Sequence, residues 1–341
     1  MTTKKIKMKN NLKKAVLSRI SLRFYFRKYS QIHSSPRYFH MLILLPALIR
    51  NIPTGLSSFL RFTKVNSIPS SIISFKGELP SISILLVVAQ KDFDKLINCI
   101  NQIVKHSLNP ISKIEIVVPS SQLSSCVEIL EHINLEIPLK VLNEDEIISA
   151  NLRKIMKQEL KHKYGWAIQQ LLTLNMVFRS DSDGVLAVNA DTFILRDQVW
   201  LNERLVQVLF RASEHHAPYY KLIKKIFPNL ELVRYSHVTH HMLFQPQLLR
   251  DFLAKSGYLN LEKLMIRVLE YMDKTQESPF CIEFEPYAHA LINFYPNRFE
   301  IRRFSNAPFS EMEDNLEMMT LVAELDNQDV YNSISFHSWN N

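Results

Sequence analysis

The chain has 341 residues, with 47% of them apolar and a formal net charge of +8, which is enough for one large α/β domain with extensions. Only 5 glycines are present (Gly55, Gly77, Gly165, Gly184, Gly257), so neither a Gly-x-Gly-x-x-Gly turn nor a Walker-type loop can be built. The cysteines Cys99, Cys126 and Cys281 are too far apart for a zinc knuckle or a redox pair and suit a reducing cytoplasm.

The charge is unevenly placed. Residues 1–77 carry 15 Lys/Arg and no acid, residues 78–303 carry 26 of each sign, and residues 304–341 carry seven acids and no Lys/Arg. This division predicts a basic arm (1–77), a globular domain (78–310) and an acidic C-terminal tail (311–341). In the arm, Leu12, Val16, Ile20 and Phe24 recur every four residues beside Arg19, Arg23 and Arg27. That pattern is a basic amphipathic helix suited to an anionic membrane surface. A solvated extension and a transit peptide are the competing readings. The apolar run 41–49 is too short to span a bilayer and starts too late for a secretory signal. Nucleic acid is not an expected partner, because the globular part shows no second basic patch.

Taken in chain order, Ser81–Ala89 reads as a strand rich in β-branched residues, followed by a helix from Phe93 to Lys105 that Asp92 can cap. Lys113–Pro119 and Pro138–Leu142 read as further strands, with a helix Gln122–Ile133 between them. The third strand ends at Asn143-Glu144-Asp145-Glu146. A long helix is expected over Arg153–Val177, a fourth strand over Val185–Val188, and a helix Gln198–Ala212 capped by Asp197. Val238–Phe244 and Phe280–Glu285 are further candidate strands, and Asn260 is placed to cap a helix Leu261–Tyr271. Alternating strands and helices predict a mainly parallel sheet.

Four segments are candidates for chemistry. In VLAVNADTFILR, the apolar run Val185–Val188 ends in Asn189-Ala190-Asp191. A carboxylate at the end of a buried strand needs a positive partner, and that end of an open α/β sheet is where ligands bind. Asn189 and Asp191 at spacing i, i+2 share one side and present oxygen to a hard cation, Mn²⁺ or Mg²⁺. The competing reading is a turn that Asp191 caps and in which Asn189 bonds backbone. In Tyr164–Leu174, Trp166, Gln169, Gln170 and Thr173 share a helix face, lining either a polar pocket or an ordinary amphipathic surface. Glu283 and Glu285 alternate among apolar residues, as a general base and sugar ligand or as the solvated side of an edge strand. Among the histidines (His237, His240, His241, His289), no zinc-ligand frame stands out. His337 completes a metal site if the tail folds back.

GWAIQQLLTL, VLAVNADTFILR, HVTHHMLFQPQLL and IEFEPYAHAL, in that order, resemble a family of bacterial glycosyltransferase-like proteins with the GT-A fold. The family is associated with surface-polysaccharide genes and is largely described as a domain of unknown function. The resemblance spans roughly Ser81 to Phe304. Gly165, Trp166, Gln169 and Gln170 match its Gly-Trp-x-x-Gln-Gln helix, and Glu283, Glu285 and Tyr287 match its Glu-Tyr-Glu-x-Tyr segment, with Phe284 in the middle. Asp191 matches the second position of its Asp-x-Asp, but Asn189 replaces the first, and Thr173 stands where a Lys is frequent. Fewer charged ligands weaken cation binding, although an amide oxygen still ligates.

The resemblance implies a GT-A-like, Rossmann-type α/β domain acting as a metal-dependent glycosyltransferase on a nucleotide-diphosphate sugar. Ala89, Gln90, Asp92, Glu144 and Asp145 would line the nucleoside pocket. Asp191 with Asn189 would hold the metal, and Trp166, Gln169 and Gln170 would flank the donor. Glu283 or Glu285 would face a glycan or lipid-linked acceptor. With the basic arm, this places the enzyme in the cytoplasm, peripheral at the inner membrane face. The alternatives are a catalytically silent nucleotide- or glycan-binding protein and a membrane-peripheral scaffold.

Overall fold

The computed structural model describes residues 78–131, 133–212, 215–233, 235–310, 315–326 and 331–337. The arm expected over 1–77, with its amphipathic helix, lies outside them.

A five-stranded sheet organises the domain. Its strands are β1 (Ile82–Val87), β2 (Ile111–Val118), β3 (Leu139–Asn143), β4 (Gly184–Val188) and β7 (His241–Phe244), in the order β3-β2-β1-β4-β7. The first four run parallel and β7 is antiparallel to β4. Side chains alternate across a strand, so each strand feeds two cores. Leu85, Val117, Val185 and Phe244 pack on one face, and Ile84, Leu86, Ile116 and Leu243 on the other.

The helices α1 (Phe93–His106) and α2 (Leu123–Leu130) cover the second face. The first is covered by α3 (Ala150–Leu160), α4 (Tyr164–Arg179), α5 (Ala217–Ile226), α6 (Pro246–Lys255), α7 (Leu261–Tyr271) and α8 (Phe284–Phe294). The fold class expected from the sequence, a mainly parallel Rossmann-type sheet flanked by helices, is the one observed.

Two small sheets complete the domain. β5 (Thr192–Ile194), β10 (Ser333–His337) and β9 (Asn306–Ser310) form one, with β10 in the middle; β6 (Gln207–Arg211) pairs with β8 (Phe299–Arg303) in the other. The acidic segment beyond residue 310 therefore contributes to the core. Ile334 and Phe336 of β10, and Met318 and Val322 of α9 (Asn315–Asp326), are buried. No helix among the described residues is long and apolar enough to cross a membrane.

Three expected elements differ. The long helix over Arg153–Val177 is two helices, broken at Lys161, whose φ of 52° leaves the helical region. The helix expected over Gln198–Ala212 is absent. Gln207–Arg211 forms a strand instead, paired with β8, because Val208 and Phe210 bury in the second core and Leu209 in the first, and Asp197 accepts from His106 rather than capping. The strand expected over Phe280–Glu285 gives way to α8, which starts at Phe284 with Pro286 in its first turn, where a missing N–H costs nothing. By contrast, α7 has its expected bounds, and Asn260 accepts from Lys263 N at 3.0 Å.

Candidate functional site

The strand order sets the location. From β1 the chain steps to β2 and β3 on one side, then returns to place β4 on the other. The connections thus diverge at the carboxyl ends of β1 and β4, and such a switch point opens a crevice for ligands. Asp92 follows β1 there, and Asn189-Ala190-Asp191 follows β4.

The Asn189–Asp191 segment is a tight turn. Thr192 N donates to Asn189 O at 3.0 Å, and Asn189 N donates to His240 O at 2.9 Å. Phe336 N in β10 donates to Asp191 O at 2.9 Å, so the chain at His337 lies one residue beyond the turn's own partner. From beneath, Cys99 in α1 donates its Sγ–H to Thr192 O at 3.2 Å. His240 keeps a left-handed φ of 61° where the chain enters β7, a conformation that costs a non-glycine residue energy and persists only where the surroundings enforce it.

Asn189 and Asp191 are half-buried. Gln169 on α4 donates from Nε2 to Asn189 Oδ1 at 3.0 Å, and Thr192 donates to Asp191 Oδ1 at 3.2 Å. Asp92 stands at the N-cap position of α1 but makes no side-chain capping bond. Its Oδ1 is enclosed without a hydrogen-bond partner, and Lys91 Nζ is 4.0 Å from Oδ2. Burial pushes the Asp92 carboxyl up to about 6; Lys91 opposes this, and the charge of Asp191 adds to it.

Two mutually repelling carboxylates and an amide oxygen fit a hard divalent cation, which prefers oxygen donors. Among the described residues, no three His, Cys, Asp or Glu side chains converge as ligands. The oxygen donors that the structure brings near one another here are those of Asp92, Asp191 and Asn189.

Beside this turn, Ala89 and Gln90 are exposed, and Gln90 N donates to Gln122 Oε1 at 2.8 Å. At the end of β3, Glu144 is buried and Asp145 is exposed and paired with Arg153. Burial, then the charge of Asp145, raises the Glu144 carboxyl above its usual range. Tyr164, at the start of α4, is raised to about 12 by burial and then by the charge of Glu144.

Trp166 packs on Phe280, ring centroids 4.8 Å apart, and Gln170 Oε1 accepts from Ile282 N at 2.9 Å. One helix face thus holds both the turn, through Gln169, and the segment leading into α8, through Trp166 and Gln170. Glu283 is half-buried on that segment, and burial pushes its carboxyl up to about 8, opposed by a side-chain hydrogen bond with Thr173.

Glu285 goes elsewhere. It is fully enclosed, with Oε1 accepting from Tyr220 at 3.3 Å, from Ser236 at 2.5 Å and from His237 N at 3.1 Å. Burial raises its carboxyl to about 7. Around it, His237 donates from Nδ1 to Phe210 O at 2.7 Å and is held down to about 3, first by burial; His289 is fully buried too. The alternation that suggested a solvated strand face is overturned for Glu285: its side chain anchors α8 to the Ser236–His237 segment. It has no open face toward an acceptor.

The structure gathers Asp92, Gln169, Asn189 and Asp191 at one place, Glu144 and Asp145 at the end of β3, and Trp166, Gln170 and Glu283 along α4. Sequence reading missed the Gln169–Asn189 bond and the part of Arg153. Helix periodicity had put Gln169 and Trp166 on one face, but only the tertiary structure, through the Gln169–Asn189 bond and the Trp166–Phe280 contact, shows what that face meets.

No protein-family model matches the chain, and no curated relative does. Among solved structures, mouse xyloside xylosyltransferase 1 in its apo form is 7% identical, covering 75% of this chain and 97% of its own, with a TM-score of 0.42. The galactosyltransferase LgtC in complex with donor and acceptor sugar analogs is 13% identical over 75% of this chain and 87% of its own, with a TM-score of 0.41. An active-site mutant of LgtC gives 12%, 75%, 87% and 0.42. Likeness at this level speaks to neither chemistry nor substrate.

Proposed function

We propose that the chain is a GT-A-like glycosyltransferase that moves a sugar from a nucleotide-diphosphate donor to a glycan or lipid-linked acceptor in surface-polysaccharide synthesis. The observation that carries this reading is the meeting of Asp92 and the Asn189–Asp191 turn at the switch point between β1 and β4. The motif resemblance over Ser81 to Phe304 supports it.

In this reading Asp191, Asn189 and Asp92 would hold Mn²⁺ or Mg²⁺, with His337 as a nitrogen donor from the end of β10. The cation, when bound, supplies charge neutralisation to a diphosphate leaving group. The exposed ends of β1 (Ala89, Gln90) and β3 (Asp145), with buried Glu144 behind them, bind the nucleoside. Trp166 and Gln169 build the wall beside the donor, and Gln170, expected there too, is buried behind it with its oxygen taken by Ile282 N. Glu283, half-buried and holding a proton up to about pH 8, donates a hydrogen bond to a sugar oxygen below that pH and works as a base only above it. Glu285 supports α8 and takes no part in transfer.

The arm 1–77, with its 15 positive charges, attaches the enzyme to anionic lipid at the cytoplasmic face of the inner membrane. Liposome sedimentation tests this: deleting the arm abolishes binding, and equal binding without it refutes attachment.

The function itself is tested by a thermal-shift screen of UDP-, GDP-, CMP- and dTDP-sugars with and without Mn²⁺. A ligand that binds the native state raises the melting temperature by mass action. One nucleotide class should do so, and more strongly with Mn²⁺. A flat response to all of them sinks the proposal. Asn189 favours one second reading, a silent nucleotide- or glycan-binding protein; there a nucleotide stabilises the chain but Asn189→Asp brings no turnover.

A further inference from the structure

We infer that Gln169 is a positioning residue that makes Asn189 serviceable as a cation ligand. The inference rests on the metal-binding reading above and goes beyond it, because it explains how the site works with an amide where a second carboxylate would be simpler.

An asparagine side chain offers one oxygen and one NH₂ group, both in the amide plane and pointing in different directions from the same carbon. A cation is attracted by the oxygen and repelled by the NH₂ hydrogens. A free amide therefore spends part of its population turned the wrong way, and binding must reorient it. Gln169 Nε2 donates to Asn189 Oδ1 at 3.0 Å. This bond fixes which end of the amide is the oxygen and leaves that oxygen a second lone pair for a cation.

The backbone that carries Gln169 is held. Its main-chain carbonyl accepts from Thr173 Oγ1 at 3.0 Å, and its neighbour Gln170 accepts through Oε1 from Ile282 N. Trp166 on the same face packs against Phe280, the rings tilted by 35°. The donor is thus carried by a helix fixed at several points. Partners outside the ligand shell that orient a ligand usually matter about 10–100-fold in metal affinity.

An aspartate at the same position behaves differently. Its two oxygens are equivalent, so there is no wrong way round and nothing for Gln169 to select. The dependence on Gln169 therefore belongs to Asn189 alone.

The test is a double-mutant cycle on the full chain, with Mn²⁺ alone as the probe and free Mn²⁺ followed by electron paramagnetic resonance. The Gln169 variants are Gln169→Met, which keeps the length without a donor, and Gln169→Ala, each checked for folding by circular dichroism. With Asn189 present, both should weaken Mn²⁺ binding about 10-fold or more. With Asn189→Asp, both should change it by less than about twofold, since the carboxylate needs no orienting. Equal weakening in the two backgrounds, or none in either, overturns the inference and leaves the metal site standing. So does Mn²⁺ binding that occurs only with Asn189→Asp. Failure of both the native chain and Asn189→Asp to bind millimolar Mn²⁺ overturns the metal reading itself.

Discussion

Two regions of this molecule draw on similar residue types and end in opposite conditions. At the switch point, Asp92, Asn189 and Asp191 are half-buried around a turn at the end of β4. On the inner side of α8, Glu285, His237 and His289 are fully enclosed, Glu285 accepting from the His237 amide on its carboxylate and from His289 Nδ1 on its backbone carbonyl. Each region perturbs its carboxylates through burial. Only the first keeps its polar residues partly exposed, although Asp92 Oδ1 itself is enclosed. A shifted carboxyl therefore marks a site only when geometry gives it access.

Asp191→Ala breaks the comparison most sharply. It should cut metal-dependent sugar transfer by about 10²–10³-fold, as expected when a main source of charge stabilisation is removed. Melting temperature should barely move. A large loss of stability with little loss of turnover would reverse the roles assigned to the two regions.

Glu285→Ala is the mirror experiment. It strands Ser236, Tyr220 and the His237 amide in a dry interior. Unpaired buried groups cost about 1–3 kcal/mol each, so about 3–5 kcal/mol of folding stability should go. Urea denaturation reads this directly. Mn²⁺ affinity of the folded fraction should stay at the native value.

The pH dependence of stability sharpens the contrast further. Glu283 and Glu285 hold protons up to about pH 8 and about pH 7 in the folded chain, against 4.5 for an ordinary glutamate. The folded state binds more protons in that window. Their stabilising effect is full below about pH 4.5 and is lost as pH rises through 7 and 8. His237 and His241 act oppositely: held at about 3 against 6.5, they contribute above 6.5 and lose it as pH falls toward 3. Denaturation between pH 6.5 and 8 should show stability falling by about 1–2 kcal/mol. Glu285→Gln should flatten the lower part of that slope, and an unchanged slope would show that Glu285 is not held neutral.

Asn260→Ala gives the smallest effect and serves as a control remote from both regions. Loss of its cap on α7 should cost about 1 kcal/mol, with metal binding and turnover intact. A change in either activity would mean that α7 is coupled to the switch point.

Much of the sheet was legible in the sequence because buried parallel strands are short apolar runs, and runs such as Ser81–Ala89 and Val185–Val188 have few other uses. Helices with a clear cap, such as α7 behind Asn260, were equally plain. Gln207–Arg211 was not, because its apolar run fits a helix or a strand and only pairing with β8 decides between them. Glu283 and Glu285 read as a strand because they alternate among apolar residues, yet the helix α8 starts at Phe284 with Pro286 in its first turn.

By itself the sequence determined a parallel α/β domain, the charge separation along the chain and an Asn-x-Asp turn at the end of a buried strand. These are local properties, fixed by composition, periodicity and turn chemistry. The tertiary structure alone decided that Asp92 meets Asp191, that Gln169 reaches Asn189, that β10 from the acidic segment runs beside β5, and that Glu285 is sealed away. Each of these joins residues distant in the chain, and no local pattern encodes which buried surfaces will meet when the cores on the two faces of the sheet close.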